Sequence, residues 1–158
     1  MLNNIVNSGI YGKVPLYTVR DVNTIREILE SSTSLFGDRI AFLQKYGINS
    51  AYKEITYKEF HDDVYSFGTG LIKLGFKDKK IAVIGESRYE WACTYMSVVC
   101  GVGTIIPIDK ELPYDEIKYL LEFSEASCIV CSKAILRSVK NATEAYGLKC
   151  SNSFLKKF

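Results

Sequence analysis

Several groups of residues carry types that could do chemistry. The first is the loop Gly85-Glu86-Ser87-Arg88, which follows a short apolar run and opens a helical pattern. A strand-to-helix loop can hold an anion, because unpaired N–H groups and the positive end of the helix dipole face it. Neither GxGxxG nor GxxxxGK[ST] is present, so a plain helix cap is the stronger reading. Gly101-Val102-Gly103 falls at a helix end instead of a helix start, which makes it a C-cap and close-packing feature. Cys128-Ile129-Val130-Cys131 has the spacing of a redox or zinc motif. A redox CxxC needs a helix N-terminus to lower its thiol pKa. Here the pair sits in an apolar strand, where positions three apart point to opposite faces. A zinc site needs further ligands, and the chain has one histidine and no second CxxC. Core packing is the better account of both cysteines.

The single histidine, His61, lies one turn after Tyr57 at the edge of an apolar stripe, with no serine or cysteine tied to it by a motif. Asp62-Asp63, Asp109 with Glu111, and Asp115-Glu116 are acidic pairs without a metal-site pattern, and read as solvated helix and loop faces. Trp91 and the tyrosines recur at helical spacing, as core aromatics do. The residues therefore assign no catalytic, cofactor-binding or metal-ligating position.

The elements that would position these groups follow from periodicity and caps. Residues 1–22 show no clear period, with Gly9, Gly12 and Pro15 interrupting them, and read as an N-terminal arm. Thr24 to Glu27 fits a capping box, and Ile25, Ile28, Leu29, Leu35 and Phe36 make one apolar stripe ended by Gly37. Two strand-like runs, 40–46 and 51–55, flank a hairpin loop at 47–50. Thr56 to Glu59 is a second capping box, with Ile55 and Phe60 placed as a hydrophobic staple. Phe60, Val64, Phe67, Leu71 and Leu74 continue that helix, and Gly68 and Gly70 within it suggest a close neighbouring backbone.

The pattern then changes. Residues 81–84 form a continuous apolar run, as in a strand buried on both faces. Ser87 to Glu90 is a third possible capping box, opening a helix with Trp91, Tyr95, Val98 and Val99 on one side. Residues 104–108 read as a second buried strand. Pro113 is placed at the first helical position, with Asp115 and Glu116 complementing the dipole and Ile117, Leu120 and Leu121 facing inward. Ile129 and Val130 centre a third strand, and 135–146 could be helical. This β-α-β-α-β order predicts an α/β fold, a parallel sheet with helices on both faces, preceded by a helix and a β-hairpin.

Composition narrows the function classes. The chain has 158 residues, 47% hydrophobic and 24% charged, the balance of one globular domain. A net charge of +2 gives no electrostatic case for nucleic acid. No apolar run is long enough to span a bilayer, and the N-terminus lacks a signal-peptide pattern, so a cytoplasmic location is expected. Five cysteines do not make a disulfide framework. Abundant Ile, Lys, Asn and Tyr suggest an A/T-rich, bacterial genome.

Taken together, TIREILESSTSLFGDRIAF, ITYKEFHDDVYSFGTGLIKLGF and IGESRYEWACTYMSVVCGVGTIIPIDKELPYDEIKYLLEFSEASCIV resemble the N-terminal part of AMP-forming acyl-CoA synthetases, especially the long-chain fatty acid type. The resemblance runs from Pro15 to Ser132. It implies a ligase that joins an acyl carboxylate to AMP from ATP·Mg, after which coenzyme A displaces the AMP. The residues that carry this chemistry in the family are a Ser/Thr/Gly-rich loop ending in Pro-Lys-Gly, a Tyr-Gly-x-Thr-Glu segment, a ribose-binding aspartate and a late lysine. None is found in these 158 residues, so no site residue is transferred. The resemblance implies a partial synthetase domain over 23–146 that is inactive alone, with the remainder of the synthetase as its partner. The tail over 147–158 departs from the family pattern, as a truncated reading frame would produce. Two other readings stand beside this one: a non-catalytic interaction module or half of a split enzyme, self-associating through an uncovered apolar surface, and an independent flavodoxin-like nucleotide-binding enzyme.

Overall fold

The computed structural model describes residues 20–144, so the arm up to residue 19 and the tail from 147 lie outside the described residues. Helix starts follow the caps. Thr24 Oγ1 accepts from the Glu27 N–H at 3.1 Å and opens α1, Ile25–Phe36. The return bond goes one residue further back, from the Asn23 N–H to the Glu27 carboxylate at 2.6 Å. The Arg20 guanidinium ties the preceding segment to α1 by donating to Ser31 at 2.6 Å. Thr56 and Glu59 form the complete reciprocal box that opens α2, Tyr57–Lys73. Ile55 and Phe60 share one buried cluster, as a staple requires.

The apolar stripe expected on α1 is largely uncovered. Leu29 is buried, whereas Ile25, Ile28 and Leu35 are exposed. The helix meets α2 and the turn at Val98–Val102 along one narrow line, and the helical period alone does not say how wide that line is. Leu74, expected on the buried face of α2, is also exposed, because the helix has ended at Lys73.

Strands β1, Ile40–Lys45, and β2, Tyr52–Thr56, pair antiparallel with Leu43 opposite Glu54 and Lys45 opposite Tyr52. A lone two-stranded ribbon is marginal in water. Here Phe42 anchors it, with its ring 4.8 Å from Phe60 and 5.3 Å from Tyr89.

The second sheet is parallel, in the order β4-β3-β5, with β3 at Lys79–Ile84, β4 at Gly103–Ile108 and β5 at Cys128–Cys131. Helix α3, Tyr89–Ser97, and a π-turn at Val98–Val102 connect β3 to β4; α4, Tyr114–Ser124, connects β4 to β5; α5 spans Leu136–Glu144. On one face of the sheet, Phe67 and Leu71 of α2 and Val98 and Val102 pack on Ile81 and Cys128. On the other, Ile117 and Leu121 of α4 and Val139 of α5 pack on Ala82, Ile84 and Ile129. Helices thus cover both faces, as the run-and-period pattern predicts. Gly68 lets α2 approach α3, since a Cβ there would lie 3.4 Å from the Ser97 carbonyl and 3.3 Å from Val102.

Four expectations are corrected. Ser87 does not cap α3; it is exposed, and the N-cap is Arg88, which makes no capping bond through its side chain. The buried face of α3 runs through Tyr89, Cys93 and Ser97, while Trp91 and Tyr95 stack on each other, half-buried, 5.5 Å apart. The true cap position is one residue later than the box suggested, which shifts the inward stripe. Strand β4 is an edge strand with Thr104 and Pro107 exposed, so it is not buried throughout. A proline without an N–H is tolerated there because an edge strand leaves one side unpaired. Pro113 sits at the N-cap of α4, one position before the one expected.

Candidate functional site

The chain leaves β3 toward β4, then crosses back to place β5 on the other side of β3. In open α/β sheets the loops part at such a point and leave a crevice at the carboxyl ends of the strands. A cavity of about 230 Å³ lies there. Val83, Ile84, Val130 and Cys131 from the strands form its floor, with Phe67 from α2. Its rim carries Glu86, Arg88, Ser132 and Lys133. Glu90, Trp91, Cys93 and Thr94 make the wall along α3. The loop singled out from sequence, 85–88, therefore does edge a crevice. Lys133 and Ser132 follow β5 as Gly85 and Glu86 follow β3, which is a pairing that sequence order alone does not reveal.

The electrostatics are mixed. Arg88 Nε lies 3.3 Å from Glu90 Oε2, and the guanidinium also sits 5.6 Å from the Tyr46 ring centroid. The Glu86 carboxyl is held below its usual range, first by its own backbone N–H, with the charges of Lys110 and Arg88 adding to it. Ser132 Oγ is buried and outside good hydrogen-bond geometry. Thr94 donates back to the Glu90 carbonyl at 2.8 Å, so its hydroxyl is spent within the helix. Burial, first of all, pushes the Cys93 thiol up to about 12, which removes it as a nucleophile at neutral pH.

The remaining candidates are dispersed. Cys128 and Cys131 pack in cores on opposite faces of the sheet, so they form no common site. His61 Nδ1 is 3.1 Å from Asp62 Oδ1, and its ring lies 4.6 Å from that of Tyr65, away from the crevice. Asp109 Oδ1 accepts from the Glu111 N–H at 2.9 Å as a loop turn, and Asp115 and Glu116 are solvated in the first turn of α4. Gly101 breaks the helical path inside the π-turn at φ 138°, and Gly103 closes the turn, so both serve a helix end. Among the described residues no group of three or more His, Cys, Asp or Glu side chains converges as a metal site would need.

The loop does not fit a nucleotide phosphate. A cradle needs open backbone N–H groups at the helix start. The Tyr89 N–H is already taken by Gln44 Oε1 at 3.1 Å. The space beside Gly85 is filled by Ser132, whose Cβ would be 3.4 Å from an added methyl. The cavity is also below the roughly 300–1,000 Å³ of common ligand pockets.

The family described as AMP-binding enzyme matches residues 29–153. This chain belongs to the AMP-binding enzyme family. Tyrocidine synthase 1 of Brevibacillus parabrevis is 24% identical over 117 residues, covering 73% of this chain and 10% of that protein. The long-chain-fatty-acid–[acyl-carrier-protein] ligase AEE15 of Arabidopsis thaliana is 24% identical over 132 residues, covering 83% of this chain and 18% of that one. A benzoate CoA ligase from Burkholderia xenovorans LB400 superposes with a TM-score of 0.72 at 17% identity, over 82% of this chain and 25% of that chain. The chain thus spans less than a fifth of the length of these two curated relatives. Its sheet and flanking helices match the N-terminal region of the family fold. Gln44, which completes the α3 end, was missed from sequence because its partner lies 45 residues away.

Proposed function

We propose that these 158 residues are the N-terminal scaffold part of an AMP-forming ligase of the long-chain fatty acid type. The family match over 29–153, which takes in the parallel sheet and the helices on both of its faces, carries this reading. The chemistry is assigned to segments that follow in sequence, where ATP, magnesium and coenzyme A act. The remainder of the synthetase is the partner, the location is cytoplasmic and the source bacterial. Alone, the chain is inactive.

ATP–pyrophosphate exchange tests this. The 158-residue chain should give no exchange above the protein-free blank with any fatty acid. The same chain joined to its following coding sequence should give exchange that depends on a long-chain acid. The kinship with tyrocidine synthase 1 supports a second reading, in which the carboxylate activated is that of an amino acid. A panel of fatty, aromatic and amino acids separates the two. The exposed side chains of Ile25, Ile28, Tyr119 and Phe123 support self-association of the isolated chain. Light scattering that shows one mass, that of a monomer, at every concentration would count against it.

A further inference from the structure

Strand β1 and the residue after it bring three side chains to the crevice wall. Phe42 and Gln44 share one pleat direction, because strand side chains alternate, and Tyr46 follows just past the strand's end. Phe42 packs edge-on against the Tyr89 ring at 5.3 Å. Gln44 Oε1 accepts from the Tyr89 N–H at 3.1 Å. Tyr46 lies under the Arg88 guanidinium at 5.6 Å. All three contacts land on Arg88 and Tyr89, which begin the helix that walls the crevice.

The first N–H groups of a helix have no partner within it. A side chain of the N-cap residue usually supplies one, and here Arg88 supplies none. The Gln44 amide takes over one of these donors from a different sheet.

We propose that the β1-β2 hairpin positions the crevice wall, with Gln44 as a positioning residue that caps α3 from across the fold. The hairpin is a separate two-stranded sheet, so it meets the wall through side chains and not through the backbone ladder of the β4-β3-β5 floor. A shift of β1 then moves Arg88, Glu90 and Trp91 relative to that floor. By reciprocity, whatever fills the crevice also biases the hairpin. The inference concerns the wall itself and holds whether or not the ligase reading does.

Amide hydrogen exchange on the 158-residue chain tests it, with the emission of the single tryptophan, Trp91, as a second readout. Gln44→Ala should speed exchange of the Tyr89 amide about fivefold, the usual value of a lost cap, and shift the Trp91 emission. Amides of Ile105 and Ile106 in β4 should keep their rates. Gln44→Glu retains an acceptor and should leave Tyr89 and Trp91 close to the unaltered chain. Leu43→Ala, on the exposed face of the hairpin, should change neither. The proposal is overturned if Gln44→Ala and Leu43→Ala behave alike at Tyr89 and Trp91. It is also overturned if Gln44→Ala speeds β4 as much as α3, or if Gln44→Glu fails to restore the wall.

Discussion

The Tyr89 phenol donates to the Asp63 carboxylate at 2.7 Å, joining the first turn of α3 to the middle of α2 beneath the hairpin. Tyr89 is 3% exposed. Burial, then the bond to Asp63, raises its phenol far above the ordinary range, so it remains a neutral donor at any working pH. Tyr89→Phe keeps the ring contacts with Phe42 and Phe60 but leaves the carboxylate without its donor. A loss of about 1–2 kcal/mol is expected in urea unfolding. An unchanged midpoint and slope would show that the bond contributes nothing.

Backbone fit at the π-turn gives a graded prediction. At Gly103, φ is 174°, which any residue adopts, but a Cβ would lie 2.1 Å from the Lys79 carbonyl oxygen on the paired strand. At Gly101, φ is 138° and a Cβ would meet the Arg26 guanidinium, which donates to the Cys100 carbonyl. At Gly75, φ is 89° and nothing lies within 4 Å. Alanine at Gly75 should cost about 1 kcal/mol, from conformation alone. At Gly101 or Gly103 it should cost at least about 2 kcal/mol. Thermal unfolding of the three variants checks the order; equal losses at Gly75 and Gly103 would contradict it.

The cap of α2 titrates. The backbone and hydroxyl of Thr56 hold the Glu59 carboxyl below its ordinary 4.5. Folding therefore favours the ionised form. Its contribution is complete above about pH 4.5 and is lost as pH falls through the lower folded value. Glu59→Gln lacks this titration. The stability difference between the two chains should shrink progressively as pH falls below about 4.5. Parallel stability curves in that range are the opposing result.

The cysteines offer a chemical test of the core. Cys93 is 1% exposed, and Cys128 and Cys131 are buried on opposite faces of the sheet. In the native chain their alkylation should run at least about a hundredfold slower than in urea. Peptide mass spectrometry should find no bridge between Cys128 and Cys131. Rapid native labelling of Cys93, or a Cys128–Cys131 bridge, would mean that α3 and β5 are placed differently.

Much of this fold is legible in the chain because local signals agree with tertiary ones. Thr56 to Glu59, Ile81 to Ile84, and Ile117 with Leu121 announce a cap, a central strand and a buried helix face, and each occupies that role. What periodicity does not carry is the partner. The exposure of Ile25 and Ile28 depends on how much of α1 its neighbours cover. The edge position of β4 depends on strand order, which alternation cannot encode. Ser87 has the type and spacing of a cap, yet the helix starts one residue later, and the Tyr89 N–H at its start is met by Gln44 from another sheet. The crevice follows from the crossover that puts β5 beside β3, and no single motif marks it.

The central claim is that this AMP-binding family chain supplies scaffold while later sequence supplies chemistry. Reading the source DNA past codon 158 in all three frames tests it most directly. The account predicts a frame that encodes a Ser/Thr/Gly-rich loop ending in Pro-Lys-Gly and, further on, a late lysine. Finding no such frame, together with fatty-acid-dependent pyrophosphate exchange by the 158 residues alone, would contradict it.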